Sequence, residues 1–200
     1  MTLQIPKGEY VPDADQRVVM NGVSWEHYEA LLEIRGERSR PRMAYLDGAL
    51  ELMTKSEDHE RINWYIRSMV EAYLQEVGIE YGGYGEWTMR KQKSAAGIEA
   101  DQCYRLGADQ QRGRWPDLAI EVSWTSGGID KLEAYRRIGV REVWFWKDDE
   151  LQVYFLVGTK YEQRAKSELV PGIDLDLVCE LVDRPTVSQA VREFRASLRS

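Results

Sequence analysis

Residues 117–147 read as a strand, a helix and a second strand in direct succession, and this order narrows the possible folds more than any other feature of the chain. "PDLAIEVS" (116–123) alternates aliphatic residues with Asp117, Ala119, Glu121 and Ser123. A helix follows over roughly 129–138, within "IDKLEAYRRIG", and Gly139 closes it. "REVWFWK" (141–147) is then strand-like again. A strand–helix–strand crossover within one sheet favours parallel pairing of its two strands.

The remaining elements are read from periodicity and punctuation. "SWEHYEALLEIRG" (24–36) has Ser24 as N-cap, apolar residues at helical spacing and Gly36 as a stop. "MAYLDGALELM" (43–53) places Asp47-Gly48 between two short strands, a strong hairpin signal. The clearest helix is 59–78, where Ile62, Ile66, Met69, Val70, Tyr73, Leu74 and Val77 share a face. Strands are expected near 79–89, 98–105 and 117–123. "LQVYFLV" pairs with "REVWFWK" through Asp148-Asp149, "KYEQRAK" adds another strand, and "TVSQAVREFRASL" forms a terminal helix. Residues 1–22 read as an irregular lead-in. The expected class is α/β, in one domain spanning residues 1–200.

Composition bounds the function. With 43% hydrophobic and 30% charged residues, the chain is ordinary for a globular protein. No apolar run reaches the roughly 18–20 residues of a membrane span, and "MTLQIPKGEYVPDADQ" has no signal-like apolar region, so the cytoplasm is the expected location. The two cysteines, Cys103 and Cys179, are too few for a disulfide framework and lack the companions of a zinc site. A net charge of −7 argues against a dedicated phosphate-neutralising surface, although basic clusters stand at 35–42, 89–93, 111–114 and 135–141.

The chemistry concentrates on two strands. Glu121 faces away from Leu118, Ile120 and Val122 and, if buried, needs a cation, a donor or water. Asp117 shares its face, but four residues of extended chain span about 13 Å. Two carboxylates on one Mg²⁺ need their oxygens within about 3 Å of each other. Asp117 therefore reads as a strand entrance after Pro116. In "GIEADQCYRL" (97–106), Glu99, Asp101 and Cys103 share a face, and on a neighbouring strand Asp101 can lie about 4.8 Å from Glu121. Spacing alone leaves open whether these acids form a divalent-cation site or a wet face with arginine partners.

Five segments in order carry a resemblance: "AYLDGALELM", "SEDHERI", "GIEADQCYRL", "PDLAIEVSWTSGGIDKLEAYRRIGVREVWFW" and "LVPGIDLDL". Over residues 24–175 the chain resembles the Uma-two family of the PD-(D/E)XK restriction-endonuclease-like superfamily, in its cyanobacterial-type branch. The resemblance implies an α-β-β-β-α-β core, here with an added N-terminal helix and hairpin, C-terminal strands, and a terminal helix over 186–200. It also implies that Asp101 and Glu121 bind Mg²⁺ or Mn²⁺ and that Glu60 completes the metal shell, with His59 beside it. Ser123 stands where the superfamily places its lysine, and Lys131 on the following helix substitutes.

The implied chemistry is metal-dependent endonucleolytic hydrolysis of DNA. Two alternatives stay open from the residues alone: a non-catalytic module of the same fold that binds nucleic acid or protein, and a structural homodimer or larger oligomer. The oligomer reading rests on the aromatic segment "EVWFWKDDELQVYF", which a sandwich core explains equally well.

Overall fold

The computed structural model describes residues 15–111, 113–122 and 128–199. Five strands form a first, antiparallel sheet: β1 (Gln16–Met20), β2 (Arg42–Leu46), β3 (Ala49–Thr54), β5 (Thr88–Lys91) and β6 (Ala96–Glu99), in the order β1-β3-β2-β6-β5. The second sheet contains β4 (Tyr81–Tyr84), β7 (Gln102–Leu106), β8 (Leu118–Val122), β9 (Glu142–Lys147), β10 (Glu150–Val157) and β11 (Lys160–Arg164), in the order β11-β10-β9-β8-β7-β4. Its β8–β9 pair is parallel, as the crossover requires, and its other pairs are antiparallel.

Helices cover the outer faces and fill the space between the sheets. α1 (Trp25–Arg35) sets Trp25, Tyr28 and Leu32 against Met43, Tyr45 and Leu50 of the first sheet. α2 (Glu57–Glu76) packs with α4 (Leu175–Leu181) and α5 (Val187–Ser197) on the outer face of the second sheet, over Leu118, Ile120, Val122, Trp144 and Trp146. α3 (Lys131–Ile138) lies between the layers. Its Ala134, Tyr135 and Ile138 meet Ala44, Met89 and Ile98 from one sheet and Cys103, Ala119, Val143 and Phe145 from the other.

Local chemistry explains most boundaries. Ser24, Ser56, Asp130 and Thr186 each accept a backbone N–H at a helix start. Asp47 (φ 47°) and Gly48 (φ 86°) form the tight β2–β3 turn, and Gly139 ends α3 at φ 99°. The aromatics of β9 are consumed inside the chain, with Trp144 and Phe145 fully buried on its opposite faces, while Tyr154 and Phe155 of β10 are half-buried.

Three expectations change. The lead-in contains a strand, β1, which the sequence hid because Val18 and Val19 are exposed (58% and 38%) and no alternation marks it; backbone pairing with β3 holds it. The segment 79–89 divides into β4 and the start of β5, which belong to different sheets. The segment 98–105 also breaks, at Ala100–Asp101, where the chain passes from β6 to β7. Glu99 and Asp101 therefore do not share a sheet face.

Candidate active site

The break after β6 aims two neighbouring acids in opposite directions. Glu99 points outward to α1, where Arg35 grips it with two nitrogens at 2.7 and 2.6 Å and Thr88 Oγ1 donates at 2.6 Å. Burial opposes ionisation of Glu99, but these donors outweigh it and hold its carboxyl below the usual range. Glu99 thus has the arginine partner considered from the sequence, though in a buried clamp and not on a wet face.

Asp101 points inward, between the sheets. The β7–β8 ladder pairs Gln102 with Ile120, so one further step sets Asp101 opposite Glu121, as the sequence suggested. Four donors lie within 3.3 Å of the Asp101 carboxylate: Arg42 Nη1 (3.3 Å) and Lys55 Nζ (3.1 Å) at Oδ1, His59 Nε2 (3.0 Å) and the Val122 amide (3.0 Å) at Oδ2. Burial works to raise its pKa, yet His59, Arg42 and Lys55 together lower it well below the ordinary value. His59 Nδ1 lies 2.9 Å from Asp15 Oδ2. Burial disfavours the imidazolium, but Asp101 and Asp15 overcome it and raise the His59 pKa to about 9.

Glu121 is fully buried and answered by α3. Lys131 Nζ lies 2.7 Å from its Oε2, and the Tyr135 hydroxyl donates to its Oε1. The lysine's pKa is raised: burial opposes the charge, and Glu121 and Asp101 more than compensate. The start of α3 is fixed by Glu51, whose Oε2 accepts the Ile129 amide at 3.2 Å. At Gly128 the backbone passes so close to Glu51 that a Cβ there would collide with that carboxylate.

Of the residues singled out in the sequence, Asp101, Glu121 and Lys131 come together. Glu60 does not join the two acids directly. Its Oε1 lies 3.4 Å from Arg40 and 3.6 Å from Lys55, so Lys55 stands between it and Asp101. His59 and Glu60 are adjacent on a helix, and adjacent helical residues diverge; His59 takes the inward direction. Asp117 is a strand anchor: its Oδ2 accepts the Leu106 amide at 2.9 Å and its Oδ1 lies 3.3 Å from Arg141. Ser123 lies outside the described residues.

Arg42, Lys55, Tyr135, Glu51 and Glu86 were not read from the sequence as site residues. Arg42, Glu51 and Lys55 lie on the inner side of the β2–β3 hairpin, with Ala44 and Met53. A charged residue in the inward phase of an apolar strand is a legible signal, because it requires a buried partner.

The oxygen donors suit a hard cation. Mg²⁺ is commonly held by one or two carboxylates, with water and substrate phosphates completing its shell. Asp101 Oδ1 is engaged by the ends of two long side chains, Arg42 and Lys55, and Glu121 Oε2 by a third, Lys131. Among the described residues, no group of three or more His, Cys, Asp or Glu side chains is arranged to hold a metal. Half-exposed Glu60 and Glu86 mark the side from which solvent approaches.

The chain resembles known proteins in fold and in family. A solved structure, described as that of "a putative nuclease belonging to DUF820 from Anabaena variabilis ATCC 29413", shares the fold with a TM-score of 0.51, 11% identity, and coverage of 81% of this chain and 96% of that one. Likeness at that identity shows a shared fold alone. No curated protein matches. No helix among the described residues is long and apolar enough to cross a membrane. The profile of the Uma2 family, described as "Putative restriction endonuclease", matches residues 25–185, and the chain belongs to that family.

Proposed function

We propose that this protein is a divalent-cation-dependent endonuclease that hydrolyses phosphodiester bonds in DNA. The observation that supports it most is the reach of Lys131 from α3 to Glu121 on β8, beside Asp101. It supplies the lysine that the strand itself lacks. Asp101 and Glu121 would hold Mg²⁺ or Mn²⁺, and the bound ion would supply Lewis acidity for the phosphate and for an attacking water. Lys131 would orient the nucleophile and neutralise charge as it develops. Tyr135 fixes the Glu121 carboxylate, while His59 and the Val122 amide fix Asp101. Glu60 would act through Lys55, receiving its amine as it leaves Asp101.

A second reading has an observation in its favour. All four ordinary acceptor positions of Asp101 are taken by protein donors, as expected of a structural hub in a non-catalytic binding module or oligomer. Plasmid nicking with Mg²⁺ or Mn²⁺ separates the two. The nuclease reading requires cleavage that disappears in both Asp101→Asn and Glu121→Gln. Binding without turnover in any divalent cation supports the module, and a dimer by sedimentation that ignores both substitutions supports the oligomer.

A further inference from the structure

Glu86 connects the candidate active site to a group of aromatic rings. Its Oε1 lies 3.0 Å from Arg42 Nη1 and 3.1 Å from Lys55 Nζ. In the chain it stands between Tyr84 and Trp87, whose ring centroids are 4.9 Å apart. Trp115 extends the group, 6.5 Å from Trp87. Two guanidiniums lie over these rings: Arg105 is 5.0 Å from the Trp87 centroid and 5.6 Å from that of Tyr84, and Arg114 is 4.7 Å from that of Trp115.

The position of the group argues for a ligand. Tyr84 ends β4, the edge strand of the second sheet, and is 36% exposed. Trp87 and Trp115 are half-buried, and Arg114 is exposed. Arg105 donates to the carbonyls of Gln110, Gly113 and Arg114, so it fastens the loop before β8 to the rings. Trp87 and Trp115 also rest against the core between the sheets, and partly exposed rings interleaved with guanidiniums suit bases stacked along a polyanionic strand. Paired bases hide their faces in the helical stack and cannot use such a surface. The chain's charge of −7 also makes phosphate attraction a weak source of affinity, which leaves stacking as the stronger source.

We propose that Tyr84, Trp87 and Trp115, framed by Arg105 and Arg114, form a stacking shelf for the unpaired bases of a DNA strand. The neighbouring site, read as a nuclease, would then act on single-stranded or locally unpaired DNA.

The test is fluorescence anisotropy in EDTA with a labelled oligo-dT of about 12 nucleotides and a duplex of equal length. It uses the wild-type protein, Tyr84→Ala, Trp115→Leu and Trp115→Phe. The shelf requires oligo-dT to bind roughly tenfold more tightly than duplex and to quench tryptophan fluorescence. Tyr84→Ala and Trp115→Leu should each weaken oligo-dT binding about tenfold, with Trp115→Phe recovering most of the loss. Equal affinity for both forms, or undiminished binding in both folded variants, overturns the shelf. Binding without metal reads the shelf alone; strong binding with no cleavage in Mg²⁺ keeps it and rejects the nuclease.

Discussion

Lys131 and Glu121 meet at 2.7 Å although they belong to different elements, the first turn of α3 and the C-terminal end of β8. The fixed start of α3 allows this contact. The lysine serves two purposes there: it balances a fully buried carboxylate and brings a cation beside Asp101. Lys131→Met should reduce Mg²⁺-dependent nicking by roughly 100-fold or more and destabilise the fold by about 3 kcal/mol, because it removes one partner of a buried ion pair. Nicking rates and urea melts measure the two effects. A variant with wild-type nicking would remove Lys131 from the chemistry.

The position of that lysine depends on Gly128. Gly128→Val should drive α3 away from Glu51 and lower activity as strongly as Lys131→Met, while Gly139, at the far end of the helix, remains a good stop. Comparing nicking by the two variants tests the link.

The Asp15–His59–Asp101 chain gives stability a pH dependence in chelator. The folded His59 pKa is raised, to about 9, above its ordinary 6.5. Its contribution is therefore complete below about pH 6.5 and is lost as pH rises through about 9. Asp101 and Asp15 are shifted the other way, below 3.8, so their contribution holds above about pH 4 and is lost on further acidification. Chemical denaturation should show a plateau from about pH 4 to 6.5, then a decline on the order of 3 kcal/mol by pH 9.5. His59→Gln should flatten the alkaline limb; an unchanged limb would place the titrating group elsewhere.

Asp117 and Asp101 should separate cleanly. Asp117→Asn keeps an acceptor for the Leu106 amide and should leave nicking within about threefold of wild type, with a stability loss of about 1 kcal/mol. Asp101→Asn should abolish nicking. Parallel loss of activity in both would return the aspartate role to the Pro116-Asp117 dipeptide.

The Glu99 clamp is structural. Arg35→Met should cost about 3 kcal/mol by removing the arginine partner of a buried carboxylate, which keeps Thr88 and the Met43 amide as donors. The folded fraction should retain nearly full specific activity, which nicking normalised to active folded protein would show.

Much of this was legible in the chain. Ser24, Gly36 and Gly139 bound helices by local hydrogen bonding and backbone freedom, which are properties of a few consecutive residues. Period-two alternation put Glu121 on the face opposite Ile120, and the crossover required a parallel β8–β9 pair. β1 escaped notice because its exposed valines give no alternation, and the two broken strands escaped because which sheet each half joins is set by long-range pairing.

The sequence by itself determined the main helices and, within each unbroken strand, which side chains share a face, since both follow from periodicities a few residues long. Only the tertiary structure decided which cation answers which acid. Lys55 and Arg42 reach Asp101 from the first sheet, Lys131 reaches Glu121 from the helix between the layers, and Arg35 takes Glu99 from outside. Those pairings depend on how two sheets and a helix stack, and a buried charge accepts whichever partner the stacking brings within about 3 Å.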